Sequence, residues 1–566
     1  MIPQEPPINQ QSPHDASSSI NRLPGDRAVT FLVRLAPDLT LRSDRVRAQF
    51  LGRLYRNITL HLRPPRVSGW VQVEKKWSRI YVSGEDPAIG DVLVEVFGVH
   101  SIQPLYRSLP CRWDLVVREA VAVYGPLVAG QTFAVRVRRT GTHPFSSHEL
   151  EKVLGRELLK GESSFMRPKG VDLQTPQVTV SLEIRGEDVF FLGPQRMGPS
   201  GLPVGSGGKA LALVSGGFDS LVAAWLAHRR GLELDFLFFK LDSGSLVESF
   251  LKQNLATFHN RWSTGSRSRI TVVDFKPVID DLRQKVRPAL QQVVLKRLFY
   301  RSAAFLASRW GYPAIVTGEN LGQVSSQTLQ NLAAIEDSLD GNGLKPAMDP
   351  DRENPLLDND MAGNVPPLVR PIVLRPLLMA EKDEIIRRSH QIGTYEVSRQ
   401  VPELCQLTQE RPATRVPVER ARQAEQSLDA AVLIQTLRQA RTALVRDLCE
   451  GLQSSKTNGV SHNAVLPPKE SLPLFRPLVV DHWDEHDILI DIRDEDSFQE
   501  GHLSGAVHVA SYRLESHDPP LERNRSYVLY CQKGLLSALV AQALCQKGYK
   551  VKSLREGLAR YSARKV

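Results

Sequence analysis

The sequence predicts a multidomain protein of the α/β class, on three observations. Its 566 residues exceed what one hydrophobic core organises. From residue 208 short apolar runs alternate with helical stretches, the pattern of a doubly wound parallel sheet covered on both faces. A second, smaller strand–helix alternation fills residues 471–566.

The elements follow in order. Residues 1–27 begin MIPQEPPINQQSPHDASSS, polar and rich in Pro and Ser, and read as a disordered tail rather than a secretory leader. The cytoplasm is then the default compartment. AVTFLVRLA has the pattern of a strand, SDRVRAQFLGRLYRNITLHL of an amphipathic helix with a basic face, and WVQVEKKWSRIYVSG of a hairpin. Together they predict a small α+β unit over 28–90 that merges into a second over 91–195. In the second unit Phe133, Val135 and Val137 alternate with Arg136 and Arg138, and Arg139 extends the cluster. One strand face is then buried while the other presents guanidinium groups. PFSSHELEKVL starts a helix with Ser146 or Ser147 as its N-cap. A basic strand face beside a helix N-terminus suits phosphate, and a merely solvated strand face is the competing reading.

Residues 196–410 carry KALALV, ELDFLFF, RITVVDF and PAIVTG as strands between helices. Within them 340–367, dense in Asp, Asn, Pro and Gly, form an inserted surface loop. A polar, helical linker covers 411–470.

The charge balance, +10 formal charge and a pI near 9.3, is compatible with an anionic partner. On charge alone a nucleic acid, a membrane surface and a basic surface with no partner all stay open. A helical membrane span is excluded, because no apolar run approaches the ~20 residues it needs. Five cysteines, Cys111, Cys405, Cys449, Cys531 and Cys545, stand far apart without a CxxC pair. That excludes a disulfide framework and argues for single reactive thiols.

Two segments carry chemistry. In ALALVSGGFDSLVAAWLAHRRG a strand through Leu213 and Val214 feeds Ser215-Gly216-Gly217, and a helix follows with Asp219 and Ser220 in its first turn. Glycines let the backbone approach an anion, and helix amides then face it with the positive end of the dipole. No GK[ST] follows, so this is not a Walker A loop. It resembles the SGGxDS pyrophosphate loop of PP-loop ATP pyrophosphatases, which adenylate a carbonyl oxygen. Ile315–Glu319 ends a later strand, where ligands of open parallel sheets sit. Lys382 opens a helix, where a cation is disfavoured unless it meets an anion. Lys296, taken by itself, reads as a solvated helix residue.

The other segment joins DILIDIRDEDSFQEGHLSGAVHV to SYVLYCQKGLLSALVAQALCQKGYKV. Cys531 sits between a strand and a helix, where backbone amides aimed at sulfur stabilise a thiolate or persulfide. Asp491/Arg493, Gly501-His502, Gly505-Ala506 and Cys531 resemble a rhodanese domain. Leu536 stands where that family carries an arginine, so thiosulfate is not the expected donor. Cys545, mid-helix among apolar residues, reads as structural.

In this order the pieces resemble the tRNA 4-thiouridine synthase family, known also for a part in thiamine biosynthesis. The resemblance covers the chain from about residue 28, with SGGFDS, TGENLGQVSSQTL, RPL…EK…IGT and VPELC at family spacing. It implies an N-terminal ferredoxin-like domain, a THUMP domain, a PP-loop (adenine nucleotide alpha hydrolase-like) domain and a rhodanese domain. It implies a tRNA uracil 4-sulfurtransferase using ATP and Mg2+. Leu213, Val214, Phe238 and Phe239 would border ATP, with Lys296, Gly318 and Gln327 contacting it. Asp219 and Lys382 would serve adenylation. Cys531 would take sulfur from a cysteine desulfurase, with Cys405 as its redox partner and a thiol reductant to reset the pair. Arg136, Arg138 and Arg139 would help hold tRNA. The thiamine sulfur carrier is a further implied partner, and a sulfur relay without tRNA modification is the alternative reading.

Overall fold

The computed structural model describes residues 28–76, 79–161, 167–241, 246–340, 370–399, 401, 412–448, 479–493, 495–509, 511–514, 519–531, 535–555 and 557–558. Cys405, Cys449 and most of the inserted loop lie outside them. The chain divides into two compact units, the first built mainly from the residues up to Lys209.

The first unit is organised by one long strand. The sheet comprises β1 (Val29–Leu35), β2 (Val71–Lys76), β3 (Arg79–Gly84), β4 (Val99–Pro110), β5 (Thr132–Thr140), β6 (Gly170–Val171), β7 (Val178–Arg185), β8 (Asp188–Leu192) and β9 (Arg196–Met197). The order is β2-β3-β1-β4-β8-β7-β5-β6, with β9 also on β4. The first half of β4 pairs with β1 (Ser101 opposite Arg34) and its second half with β8 (Leu109 opposite Val189). The two expected α+β units therefore share a single sheet while keeping separate cores. One core packs helix α1 (Asp44–His61) against Phe31, Val33 and Ile102. The other packs α2 (Trp113–Val128) and α3 (Ser147–Lys160) against Phe133, Val135 and Val180. Ser146 caps α3 in a reciprocal box with Glu149, settling the choice between the two serines. On β5 the side chains of Phe133, Val135 and Val137 are buried and those of Arg136, Arg138 and Arg139 exposed, as the alternation predicts.

The second unit contains a six-stranded sheet of order β14-β13-β10-β11-β12-β15. Its strands are β10 (Lys209–Leu213), β11 (Glu233–Lys240), β12 (Arg269–Asp274), β13 (Ala314–Val316), β14 (Ile372–Leu374) and β15 (Arg441–Leu444). The β10–β13, β13–β14 and β11–β12 pairs are parallel, while β15 joins β12 antiparallel. The six central residues of β11 are all buried, as continuous apolar strands under two helical layers must be. The helices include α4 (Phe218–Arg229), α5 (Leu246–Trp262), α6 (Lys276–Lys285), α7 (Pro288–Arg309) and α8 (Leu329–Glu336). They continue with α9 (Lys382–Ile392), α10 (Val418–Gln426) and α11 (Ala430–Arg438).

The stretch expected as a linker behaves otherwise over 412–448. Val416, Ala421, Leu433 and Leu437 enter the same core as α7. Glu425 of α10 accepts from the buried Arg297 at 2.6 Å and pairs with Arg301. Arg422 forks onto Asp337 at 2.5 and 2.9 Å. With β15 extending the sheet, this segment is part of the six-stranded fold rather than a connector.

The C-terminal sheet, order β16-β20-β19-β17-β18, is parallel throughout. It is built from β16 (Val479–Val480), β17 (Ile488–Asp491), β18 (Val507–His508), β19 (Ser526–Tyr530) and β20 (Lys550–Leu554). Helix α12 (Leu535–Gln546) covers β19 and β20.

Candidate active sites

The glycine loop leaves β10 and enters α4. Gly216 has φ +86°, the left-handed region that glycine adopts without strain. Gly217 is different: among the described residues a Cβ there would meet nothing nearer than Ser215 Oγ at 3.6 Å. Packing of the described residues does not require its missing side chain, and the space it leaves suits a ligand. Ser220 Oγ donates to the Gly217 carbonyl at 3.0 Å and accepts from the Ser215 amide at 3.3 Å. It shapes the loop from inside. Asn254 of α5, 0% exposed, donates to the Gly216 carbonyl at 3.3 Å and to Ser398 Oγ at 3.0 Å.

Asp219 is the acidic group at this mouth. Lys382 reaches its two carboxylate oxygens at 3.1 and 3.2 Å, and Gln323 donates to Oδ2 at 3.0 Å. The Lys382 ammonium also lies 4.3 Å from the centre of the Phe218 ring. Asn320 donates to the Ala380 carbonyl at 2.6 Å, which ties the turn before Lys382 to the loop after β13. Gly318 brings that loop against α4. Its Cα sits so close that a Cβ would lie 2.7 Å from the Ser220 nitrogen.

Behind the mouth, Glu319 gathers a buried ionic cluster. Lys296 Nζ stands 3.4 Å from Oε1, while Arg375 Nε at 3.0 Å, Thr317 Oγ1 at 3.4 Å and the Tyr300 hydroxyl donate to Oε2. Burial opposes ionisation of Glu319, but Lys296, Tyr300 and Arg375 outweigh it and hold the carboxyl below its ordinary range. Burial likewise opposes the charge on Arg375, and Tyr300, Glu319 and Glu336 together raise it above its ordinary range. Lys296 is therefore held by a carboxylate that is itself fixed on every side, not left on a solvated face. Gln327 ends a short turn, Ser325–Gln327, and its buried Oε1 lacks a hydrogen-bond partner among the described residues. An orphaned acceptor beside a glycine loop invites a ligand N–H.

Phe238 and Phe239 are placed differently from the rest. Both side chains are buried, and Phe239 stacks on Phe299 with centroids 4.4 Å apart and packs against Phe275. What they can offer a nucleotide is backbone. Val214 is likewise buried, its amide donating to the Leu237 carbonyl at 2.9 Å. The residues present fit a nucleoside triphosphate: open space at Gly217, helix amides and Lys296 suit phosphate oxygens, and the orphaned Gln327 oxygen suits a base N–H. Among the described residues no group of three or more His, Cys, Asp or Glu could hold a metal ion, and the carboxylate facing the loop is Asp219.

The second site lies at the end of β19. Cys531 is 6% exposed and sits in the core of the C-terminal sheet. Residues 532–534, the rest of its loop, lie outside the described residues. Asp491 and Arg493 form a bidentate pair, Nε to Oδ1 at 3.0 Å and Nη2 to Oδ2 at 2.7 Å. Arg493 also donates to the Gly501 carbonyl at 2.6 Å, and the Leu503 amide donates to the Tyr530 hydroxyl at 3.0 Å. The D-x-R and GH-x-x-GA motifs thus fasten the loop beside β17 and β19. Cys545 packs against the same core and donates to the Val551 carbonyl at 3.1 Å, a structural thiol as expected. On β5, Arg136 donates to the Leu173 carbonyl at 2.7 Å and Arg139 to the Phe145 carbonyl at 2.5 Å. Both remain exposed.

Comparison with known proteins decides the family. Family models match in sequence order: the ThiI ferredoxin-like domain at residues 30–103, the THUMP domain at 118–192, Thiamine biosynthesis protein (ThiI) at 205–356 and 365–430, and a rhodanese-like domain at 479–564. A tRNA sulfurtransferase of Desulfurococcus amylolyticus is 34% identical over 94% of this chain and 98% of its own. The chain belongs to the tRNA sulfurtransferase family. Another family member, from Yersinia pestis (strain Pestoides F), is 30% identical over 92% of this chain and 98% of its own. A crystal structure described as a 4-thiouridine synthetase–RNA complex with bound ATP aligns with a TM-score of 0.58 at 24% identity, covering 74% of this chain and 99% of that one. That likeness is one of fold. The family's four-part architecture, ferredoxin-like, THUMP, PP-loop and rhodanese, is the one expected from the sequence. The partners of Asn254, Gln323 and Glu319 escaped sequence reading. Gln323 and Glu319 lie inside the TGENLGQVSSQTL stretch that carries the family resemblance, but Asn254 has no local signal.

Proposed function

We propose that this chain adenylates the C4 oxygen of a tRNA uridine, at position 8, and replaces it with sulfur carried on Cys531, giving 4-thiouridine. The observation that carries this reading is the Asp219–Lys382 pair, brought to 3.1 Å across 163 positions at the head of an open glycine loop. ATP is the proposed co-substrate, as it is bound in the solved 4-thiouridine synthetase–RNA complex. Here the loop amides and Lys296 would take its phosphates and Gln327 and the β10 and β11 backbone its nucleoside. Magnesium accompanying the triphosphate would be held by phosphate oxygens and Asp219, and would neutralise pyrophosphate charge. The C4 carbonyl of uracil is a poor electrophile, and adenylation converts its oxygen into a good leaving group. Lys382, held by Asp219 and over the Phe218 ring, would meet the negative charge that develops on the phosphate.

Sulfur arrives from a cysteine desulfurase. The Cys531 thiolate attacks the donor's terminal sulfur, the donor S–S bond breaks, and the donor leaves as thiolate. The Cys531 persulfide then attacks C4 and expels AMP. Cys405, acting as resolving thiol, attacks Cys531 sulfur, leaving sulfur on the base and a Cys405–Cys531 disulfide. A thiol reductant supplies two electrons to reset it. Arg136, Arg138 and Arg139 would serve the tRNA backbone, a phosphate task. The domain limits proposed are 28–90, 91–195, 196–410 together with the packed 412–448 segment, and 471–566, in cytoplasm. The description of the matching family model, thiamine biosynthesis, supports a second reading in which Cys531 also loads the thiamine sulfur carrier. The test is AMP release from ATP with and without unmodified tRNA. Stimulation by tRNA that disappears in Asp219→Ala is expected, and tRNA-independent release would sink the proposal.

A further inference from the structure

Beneath Cys531 lie two hydroxyls that the motif reading leaves without a task. Ser537, in the first turn of α12, and Ser553, on β20, are both 0% exposed. Ser553 Oγ donates to Ser537 Oγ at 2.9 Å, and Ser537 Oγ donates to Cys531 Sγ at 3.6 Å, within the range of hydrogen bonds to sulfur. Around them the core is apolar: Leu529, Val540, Ala541 and Val551 are all buried. A hydroxyl pair in such a core is tolerated only if its hydrogen bonds are spent well, and alanine would satisfy the packing alone. The chain of donors runs one way and ends on the sulfur.

We infer that Ser553 and Ser537 form a hydroxyl relay that positions the Cys531 sulfur and stabilises it as a thiolate. This inference rests on the reading of Cys531 as the sulfur carrier. The relay meets the sulfur from within the core. In the loading step, Cys531–S⁻ attacks the terminal sulfur of a persulfide R–S–SH. One S–S bond forms, one breaks, R–S⁻ leaves, and the proton stays on the transferred sulfur. The relay acts on the ground-state anion, through Ser537, and holds its lone pair in a fixed direction. Ser537 and Ser553 are positioning residues for that step.

The expected size follows from two opposed effects. Losing a hydrogen bond to a charged group weakens the hold on the attacking anion by about tenfold. The remaining thiolate becomes more nucleophilic by about the square root of that factor. The net loss in rate is therefore about threefold. Single replacement of Ser537 also strands Ser553, whereas replacing both hydroxyls together leaves an apolar core of the same shape.

The test uses the full-length chain reduced and freed of persulfide. Iodoacetamide alkylation at pH 7 is followed at the Cys531 and Cys545 peptides by mass spectrometry, alongside the thermal midpoint. Loading of Cys531 from a small-molecule cysteine persulfide is measured in parallel. For Ser537→Ala/Ser553→Ala the expected result is a midpoint close to the parent's. Alkylation and loading of Cys531 should be about threefold slower, with Cys545 unchanged. Ser537→Ala alone should show the same loss with a lower midpoint. Parental alkylation and loading in the folded double variant would overturn the inference. Neither readout needs tRNA or ATP, so failure of this relay and failure of the proposed tRNA thiolation give different results.

Discussion

Gly318 offers a sharp test of how closely the nucleotide loop is built. In Gly318→Ala the new methyl carbon would lie 2.7 Å from the Ser220 nitrogen, 2.8 Å from the Ser220 Cα and 2.9 Å from the Asp219 carbonyl carbon. All three are backbone atoms of the first turn of α4, so no side chain can swing aside. Ordinary contact begins near 3.4 Å, and the loop after β13 must retreat from the helix by about 0.7 Å to reach it. Asp219 rides on one side of that gap, and Gln323 on the other. The Gln323 to Asp219 bond, 3.0 Å now, would stretch beyond hydrogen-bonding reach. A displacement of about 1 Å in a reacting constellation costs on the order of 100-fold in rate, and 0.7 Å should cost roughly 10- to 100-fold. Overpacking should lower stability by about 1–3 kcal/mol. AMP release and 4-thiouridine formation, with the thermal midpoint as a folding control, measure both. A folded Gly318→Ala protein turning over within twofold of the parent would refute the close-packing argument.

Other consequences follow from the same contacts. Glu319→Gln should raise the Michaelis constant for ATP about tenfold and add nothing in a Lys296→Met background, because Glu319 acts through Lys296; additive effects in that double-mutant cycle would contradict the arrangement. Glu425→Ala removes the partner of Arg297 Nε and of Arg301, while Asp337 at 3.1 Å and the Ala334 carbonyl still hold Arg297, and should destabilise the second unit by about 1.5–3 kcal/mol in chemical denaturation; a loss under 1 kcal/mol would return residues 412–448 to the status of a connector. Burial, with the charge of Arg446 adding to it, pushes His259 down to about 4. Its unfolded form takes up a proton near pH 6.5 while the folded form does not. Stability should therefore fall by up to about 3 kcal/mol as pH drops from 6.5 towards 4. His259→Gln should flatten that window while leaving the loss below pH 4.5 that Glu319 and Glu183 contribute.

What sequence could reveal depended on range. SGGFDS, the buried run of β11 and the Ser146 cap are local patterns, each written within one or two elements, and each appears where expected. The Asp219–Lys382 pair spans 163 positions and was accessible only through resemblance to a family. Lys296 looked like a solvated helix residue because its partner, Glu319, arrives from another element. Phe238 and Phe239 border the nucleotide only on the family resemblance; their side chains serve the core, and apolar strand residues do not announce which of their atoms meets a ligand. The 412–448 segment misled for a related reason. α10 buries only Ala421 and the charged Glu425, and β15 is four residues long, so neither carries a strong periodic signal. Asn254 and Ser537 are polar residues inside helices, where sequence patterns predict nothing about a buried hydrogen bond.

The central claim is that one chain couples adenylation at the glycine loop to sulfur delivery from Cys531. The most direct measurement is the thionucleoside content of unmodified tRNA after incubation with the protein, magnesium-ATP, cysteine and a cysteine desulfurase. The account predicts 4-thiouridine from the parent protein and its loss in both Asp219→Ala and Cys531→Ala, with both variants folded. Sulfur loaded on Cys531 without any thionucleoside would contradict it, as would 4-thiouridine formed over multiple turnovers by the Cys531→Ala protein.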